Sequence, residues 1–178
     1  MSDDELDQAV AVYRAGNYNR IVTTGGPVEA RRGCAARSSY AALAASYLKA
    51  HGLNDVEVTA VPAPASAQDR TYLSAVMVRD WATTNDVTLG ALDLFSAGAH
   101  ARRSRILYQM AFGPSVAVGV LSARPRDYDP RHWWRTSAGA TSVIEETLGL
   151  LWTACCFQRP VPGTHEEKWA APPQATGR

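Results

Sequence analysis

GALDLFSAGAHARRSRILYQMAF, residues 90–112, holds in one run the pattern that decides the fold class. Residues 90–96 read as a β-strand, Gly98 as the turn that ends it, and about 102–112 as a helix, so the run is one strand–loop–helix unit. Working upstream, Val56, Val58 and Val61 form another strand candidate, closed by the breaker at Pro62 and Pro64. Polar residues 66–70 then lead into a helix over about 71–84, with Leu73, Val76, Met77 and Trp81 on its apolar face. Further upstream, 20–24 is a short β-prone run ending in Gly25, Gly26 and Pro27. A helix follows it, capped by Ser38 or Ser39, with Tyr40, Leu43, Ala44, Tyr47 and Leu48 along one face and Gly52 at its end. The chain opens with Leu6, Ala9, Val10 and Tyr13 at helical spacing, stopped by Gly16.

Downstream, 116–121 reads as the fourth strand, and Trp133 and Trp134 lie in a long connection. The last helix is expected to begin near Ser137. Its Ile144, Thr147, Leu148, Leu151, Trp152 and Cys155 recur at three and four residues, the spacing of a helix packed on a core. Glu145 and Glu146 sit near its amino end, where negative charge is favourable. Alternating strands and helices predict an α/β fold with a mainly parallel sheet covered on both faces. A chain of 178 residues with 46% apolar content suits one core. The domain is expected over 1–157, and the four prolines beyond it predict a flexible tail over 158–178.

Charge narrows the function classes by its placement. The net charge of +1 gives no case for a polyanion partner, so nucleic acid is not expected. Between His100 and Arg135, however, seven arginines face only Asp127 and Asp129, an excess of five positive charges. Lysine occurs only at Lys49 and Lys168, so the cationic groups are guanidiniums, which favour directional recognition of carboxylate or phosphate. Arg124 to Arg135, with Tyr128, Trp133 and Trp134, offers either a base clamp or cover for an apolar edge. Cys34, Cys155 and Cys156 show neither zinc spacing nor a disulfide framework, and the last two are expected to pack in the core. No secretory signal and no membrane span are read, which makes a cytoplasmic protein the expectation.

In an open parallel sheet, loops at the carboxyl ends of the strands gather into one crevice. Three loops here carry chemistry. Thr24, Gly25 and Gly26 can bring backbone amides and a hydroxyl to an anion, or form only a structural turn. In the second loop, Asp69 or Thr71 can cap the helix, while Arg70 pairs with Asp69 or reaches a ligand. The third offers Ser96, Gly98, His100, Arg102 and Arg103. His100 is the leading candidate because imidazole exchanges protons near neutral pH. Arg102 and Arg103 cannot both face one way on a regular helix, so one faces the ligand and the other solvent. Trp134 and Ser137 place another helix start beside the crevice. No His/Asp set has metal-ligand spacing, so no metal is expected.

Taken together, Ile21-Val22-Thr23-Thr24-Gly25-Gly26, then Asp69-Arg70-Thr71 with Ala75, then Ser96 with His100 and Arg102-Arg103, then Trp134-Arg135-Thr136-Ser137-Ala138-Gly139 with Glu145 resemble the ElyC/SanA/YdcF-like family of bacterial proteins. The match in order and spacing covers about residues 6–157. The resemblance implies a Rossmann-like three-layer sandwich with a site built from these loops, a nucleotide-like or S-adenosylmethionine ligand, and a link to envelope homeostasis. Many members carry a membrane-anchoring amino-terminal segment, which is not seen here. It also implies a strand and glycine turn ahead of the first helix. Their absence predicts an amino-terminally shortened sheet, with the strands beside the omitted one about two spacings, ~10 Å, apart unless something fills the gap. Where members present an acid around Arg37-Ser38-Ser39-Tyr40, Ser39 can cap but supplies no charge.

The functional expectation is a protein that binds a small anionic or nucleotide-like ligand and hydrolyses a phosphate-containing metabolite. Gly25 and Gly26 would cradle the anion, and Arg102 or Arg103 would neutralise charge. His100 would transfer the proton, and Asp69 would orient His100 or coordinate the ligand. The alternative is a noncatalytic regulatory or envelope-associated protein acting through a protein partner or self-association.

Overall fold

Four strands and five longer helices alternate along the chain in a computed structural model that describes residues 1–28, 38–55, 57–66 and 69–168. They are α1 (Asp3–Ala15), β1 (Ile21–Gly25), α2 (Tyr40–Ala50), β2 (Val58–Pro62), α3 (Arg70–Thr84), β3 (Ala91–Ala97), α4 (Ala101–Phe112), β4 (Ala117–Ala123) and α5 (Ser137–Cys155). A four-residue α6 (His165–Lys168) follows. Cys34, Arg37, Val56, Ala67, Gln68 and residues 169–178 of the expected tail lie outside the described residues.

All ladder pairing is parallel. Ile21 is in register with Val58 and Gly25 with Pro62, while Ala91 is in register with Ala117 and Ala97 with Ala123. The two pairs remain separate two-stranded sheets, with no ladder between β1 and β3 among the described residues. The fold is thus α/β with parallel strands, as expected, but the sheet is interrupted.

Strand alternation sets the layers. On β1, Ile21 packs with Val10, Ala45, Leu48, Leu53 and Val58 toward α1 and α2, while Val22 points to the main core. That core joins Val61 with Tyr72, Ala75, Val76, Leu107, Tyr108 and Val118, so α3 and α4 cover both strand pairs from one side. The far side of β3 is thinly covered: Asp93 is exposed and accepts a hydrogen bond from the Tyr18 hydroxyl at 2.7 Å.

α3 is the central helix. Tyr72, Leu73, Ser74, Ala75 and Val76 are buried in succession, which a helix tolerates only when neighbours enclose it on nearly every side. A side chain such as Leu73 contributes about 1.5–3 kcal/mol by that burial.

Three helix expectations need correction. α2 buries Ala41, Ala45 and Leu48, whereas Tyr40 and Leu43 stand half exposed. The backbone is too close to β1 for large residues there, since the Thr23 hydroxyl donates to the Ala41 carbonyl at 2.8 Å. α5 turns inward Gly139, Glu146, Gly149 and Thr153, leaving exposed the stripe expected on the core. Its glycines decide that rotation: a Cβ at Gly149 would come within 3.0 Å of the Arg103 Nε, and one at Gly139 would collide with the Trp133 carbonyl. Cys155 and Cys156 are exposed and bonded to each other rather than packed in the core.

Packing also continues beyond residue 157. α6 seats Glu167, fully buried, against Arg79, whose Nη1 and Nη2 reach the two carboxylate oxygens at 2.7 and 2.8 Å. The described part of the expected tail is therefore docked on α3.

Candidate functional site

The turn joining β3 to α4 decides which side chains meet. Gly98 takes φ +35°, and a Cβ there would approach the Tyr128 hydroxyl to 3.0 Å, so the chain turns sharply into a short 3-10 segment ending at His100. One helical turn on, Arg103 lies on the same side as His100, while Arg102 points to solvent.

α5 supplies the group that organises them. The Glu146 carboxylate takes His100 Nδ1 at 2.9 Å through Oε1 and Arg103 Nε at 2.8 Å through Oε2. Arg103 Nη2 also donates to Oε1 at 3.1 Å and lies 3.1 Å from His100 Nδ1. An ionised carboxylate only accepts and a guanidinium only donates, so Nδ1 carries the ring proton where it serves Glu146 and is bare where it serves Arg103. In the first of these tautomers Nε2 is the acceptor, and the Thr71 hydroxyl lies 3.4 Å from it. Carboxylate, imidazole and hydroxyl thus stand in line across α5, the β3–α4 turn and the start of α3.

Partial burial pushes the Glu146 carboxyl up, but hydrogen bonds from Arg103 and His100 and their charges outweigh it and hold the group below its usual value. Asp69 moves the other way. Burial raises its carboxyl, and the Arg103 charge offsets that only in part. Asp69 sits at φ +48°, ψ +35°, a left-handed conformation tolerated better by Asp than by most residues, and its side chain does not cap α3. The first-turn amides of α3 therefore lack that partner. Of the two carboxylates, Glu146 rather than Asp69 orients His100.

At the end of β1, Thr24 Oγ1 is buried without a hydrogen-bond partner among the described residues. Alternation turns it toward the α3 side, opposite to Thr23. Gly25 has φ +151°, and a Cβ there would meet the Tyr40 Cβ at 3.0 Å; the Gly26 carbonyl accepts from the Tyr40 amide at 2.9 Å. These glycines serve the close approach of α2.

Other expected residues fall outside the group. Ser96 is buried beneath α4, donating to Ser104 at 3.4 Å, because its position on β3 points it into the helix layer. Arg70 and Arg102 are exposed and have no ion pair among the described residues. Trp134 is exposed and meets the Trp133 ring edge-on at 5.9 Å. Ser137 opens α5 and lines a shallow groove of about 430 Å³ with Thr141, Ser142 and Glu146.

A larger cleft of about 790 Å³ opens beside the group, lined by Gly98, Ala99, Ser122, Arg124, Tyr128 and Arg131. Ser122 fixes its floor by donating to the Gly98 carbonyl at 2.9 Å. Asp129 orders its rim through the Arg131 amide at 3.0 Å and His132 Nδ1 at 2.7 Å. Glu146 was not read as a site residue from the sequence, whereas Arg124, Tyr128 and Arg131 of this cleft lie in the stretch read there as either a base clamp or edge cover. Among the described residues no three His, Cys, Asp or Glu side chains gather as a metal site, and no helix is long and apolar enough to cross a membrane.

Comparison with known proteins finds no matching family model, no matching curated protein and no matching solved structure.

Proposed function

We propose that the chain binds a small anionic or nucleotide-like ligand at the carboxyl ends of its strands and hydrolyses a phosphate-containing metabolite there. The observation that carries this is the line from Glu146 through His100 to Thr71, which in the tautomer that serves Glu146 sets Nε2 as an acceptor facing a hydroxyl. Water attacks phosphorus as Nε2 takes its proton, and the bond to the leaving oxygen breaks as the proton is returned to it. Glu146 stabilises the imidazolium formed between those steps. The buried Thr24 hydroxyl, without a partner among the described residues, and the first-turn amides of α3, which the Asp69 side chain does not cap, are the donors this reading assigns to phosphate oxygens.

The resemblance to the ElyC/SanA/YdcF-like family adds the expectation of a Rossmann-like three-layer arrangement, and the cover of α1 and α2 opposite α3 and α4 on the β1–β2 pair is compatible with it. Phosphate release from a panel of nucleotides and sugar phosphates is the test. His100→Ala should lower turnover by about 10²–10⁴-fold while retaining binding. Unchanged turnover in that variant would remove His100 from the mechanism.

One observation favours a second reading, a sensor without turnover: Arg103 is already committed to Glu146, which reduces the charge it offers to a transition state. Retained ligand with no phosphate release from the unaltered protein would select it.

A further inference from the structure

α5 leaves outward the residues that its sequence pattern marks for burial. Ile144, Leu148, Leu151 and Trp152 are 52, 62, 59 and 48% exposed, and Cys155 continues their line. Phe157 packs on the Trp152 ring, centroids 5.6 Å apart, and the stripe is otherwise open among the described residues. The helix is held instead through Gly139, Glu146, Gly149 and Thr153 on its opposite side, so rotating the stripe inward would break the Glu146 contacts with His100 and Arg103.

We propose that this stripe is the interface of an antiparallel dimer, with α5 of a second copy lying along it. Three features select a second copy. First, the apolar positions 144, 148, 151 and 155 are spaced 4, 3 and 4, a pattern that reads the same in both directions. A twofold axis between residues 149 and 150 puts Ile144 opposite Cys155 and Leu148 opposite Leu151 of the other copy, so these four positions meet one another, with Trp152 at the flank opposite Thr147. Second, Glu145 is an exposed charge flanking the stripe. A parallel pairing would set it against its own copy, whereas the antiparallel one sets it against Ala154. Third, the stripe from Ile144 to Cys155 runs about 17 Å along the helix, a contact of the small, transient class, which suits a reversible, concentration-dependent dimer.

The 4-3-4 spacing is that of a coiled-coil seam, so the helices should cross at a shallow angle, about 20°. Such an interface leaves the inward face of α5, with Glu146, unchanged in each copy. Dimerisation would therefore hold both copies of α5 in the rotation that presents the carboxylate to His100.

Sedimentation of the full chain from about 1 to 100 µM should show a concentration-dependent dimer. The double change Leu148→Glu with Leu151→Glu should raise its dissociation constant by on the order of 100-fold. Its far-UV circular dichroism should stay the same, because both side chains are exposed. Leu148→Lys and Leu151→Glu made separately should each weaken self-association, and mixing the two proteins should restore a heterodimer in native mass spectrometry, since those positions face each other. A monomer at 100 µM overturns the proposal, whether the stripe is then free or covered by residues 169–178. A dimer unaffected by all these changes overturns it too, by placing the interface elsewhere. Failure of the mixed pair to associate more tightly than either parent contradicts the antiparallel register.

Discussion

Arg103 meets both oxygens of Glu146, and the pair together hold His100 by Nδ1 while Nε2 faces Thr71. Glu146→Ala should therefore act twice. Removing the acceptor leaves a partly buried guanidinium unsatisfied, with an expected loss of about 1–3 kcal/mol in denaturant unfolding. It also releases the imidazole to choose either tautomer, so ¹⁵N shifts of the His100 ring should move from one protonated nitrogen toward a mixture. An unchanged ring spectrum would contradict the orienting role. Because the folded Glu146 carboxyl lies below its unfolded value of about 4.3, its contribution is present above that value and lost as pH falls through the folded one. His100, Thr71 and Arg103 were legible as loop residues at strand ends. Glu146 was not, because Glu145 is its neighbour and only the rotation of α5 decides which acid turns inward. Periodicity pointed to the opposite rotation, since it records what a face would bury and not which neighbour is within reach.

At the scale of elements, α6 is held to α3 by Glu167 on Arg79 and by Lys168 on Asp80 at 2.8 Å, while the Gly163 amide just ahead of α6 donates to Glu167 at 2.8 Å. Burial pushes the Glu167 carboxyl up, but Arg79 and the Gly163 amide bring it below its ordinary value. This docking is thus fully present above the unfolded value of about 4.3 and weakens as pH drops through the lower folded one. Arg79→Ala would strand a buried carboxylate at a cost of about 3–5 kcal/mol, more than four helical residues can offset, so α6 should leave its seat. The expected outcome is faster proteolytic cutting beyond residue 157 with helical content preserved; unchanged cutting would show that other contacts hold the segment. Nothing in the sequence flagged this pairing, because Arg79 and Glu167 are 88 residues apart and belong to no periodic pattern. The strand–helix alternation was legible because each unit states its period locally. The packed faces of α2 and α5 were not, because the small residues that set close approach carry little hydropathy signal.

Across the whole molecule, two parallel strand pairs share the α3–α4 layer without sharing a ladder. The order of units predicted parallel pairing, but pairing across the centre depends on edges far apart in sequence, which no local pattern encodes. Among the described residues β1 and β3 each pair on one side only, so their remaining amides should exchange with solvent orders of magnitude faster than those of α3. Protection of β1 and β3 equal to that of α3 would mean that their open edges are paired. The β3 end brings His100 to Thr71 at the start of α3 and to Glu146 on α5, and the proposed site adds to them the buried Thr24 hydroxyl at the end of β1. That convergence is the central claim, and ¹H–¹⁵N titration with inorganic pyrophosphate tests it most directly. Saturable shifts should cluster at the amides of Thr24, Arg70, Thr71, His100, Arg103 and Glu146, and should weaken in Thr71→Val. The absence of saturable shifts there, or shifts confined to other faces of the molecule, would contradict the account.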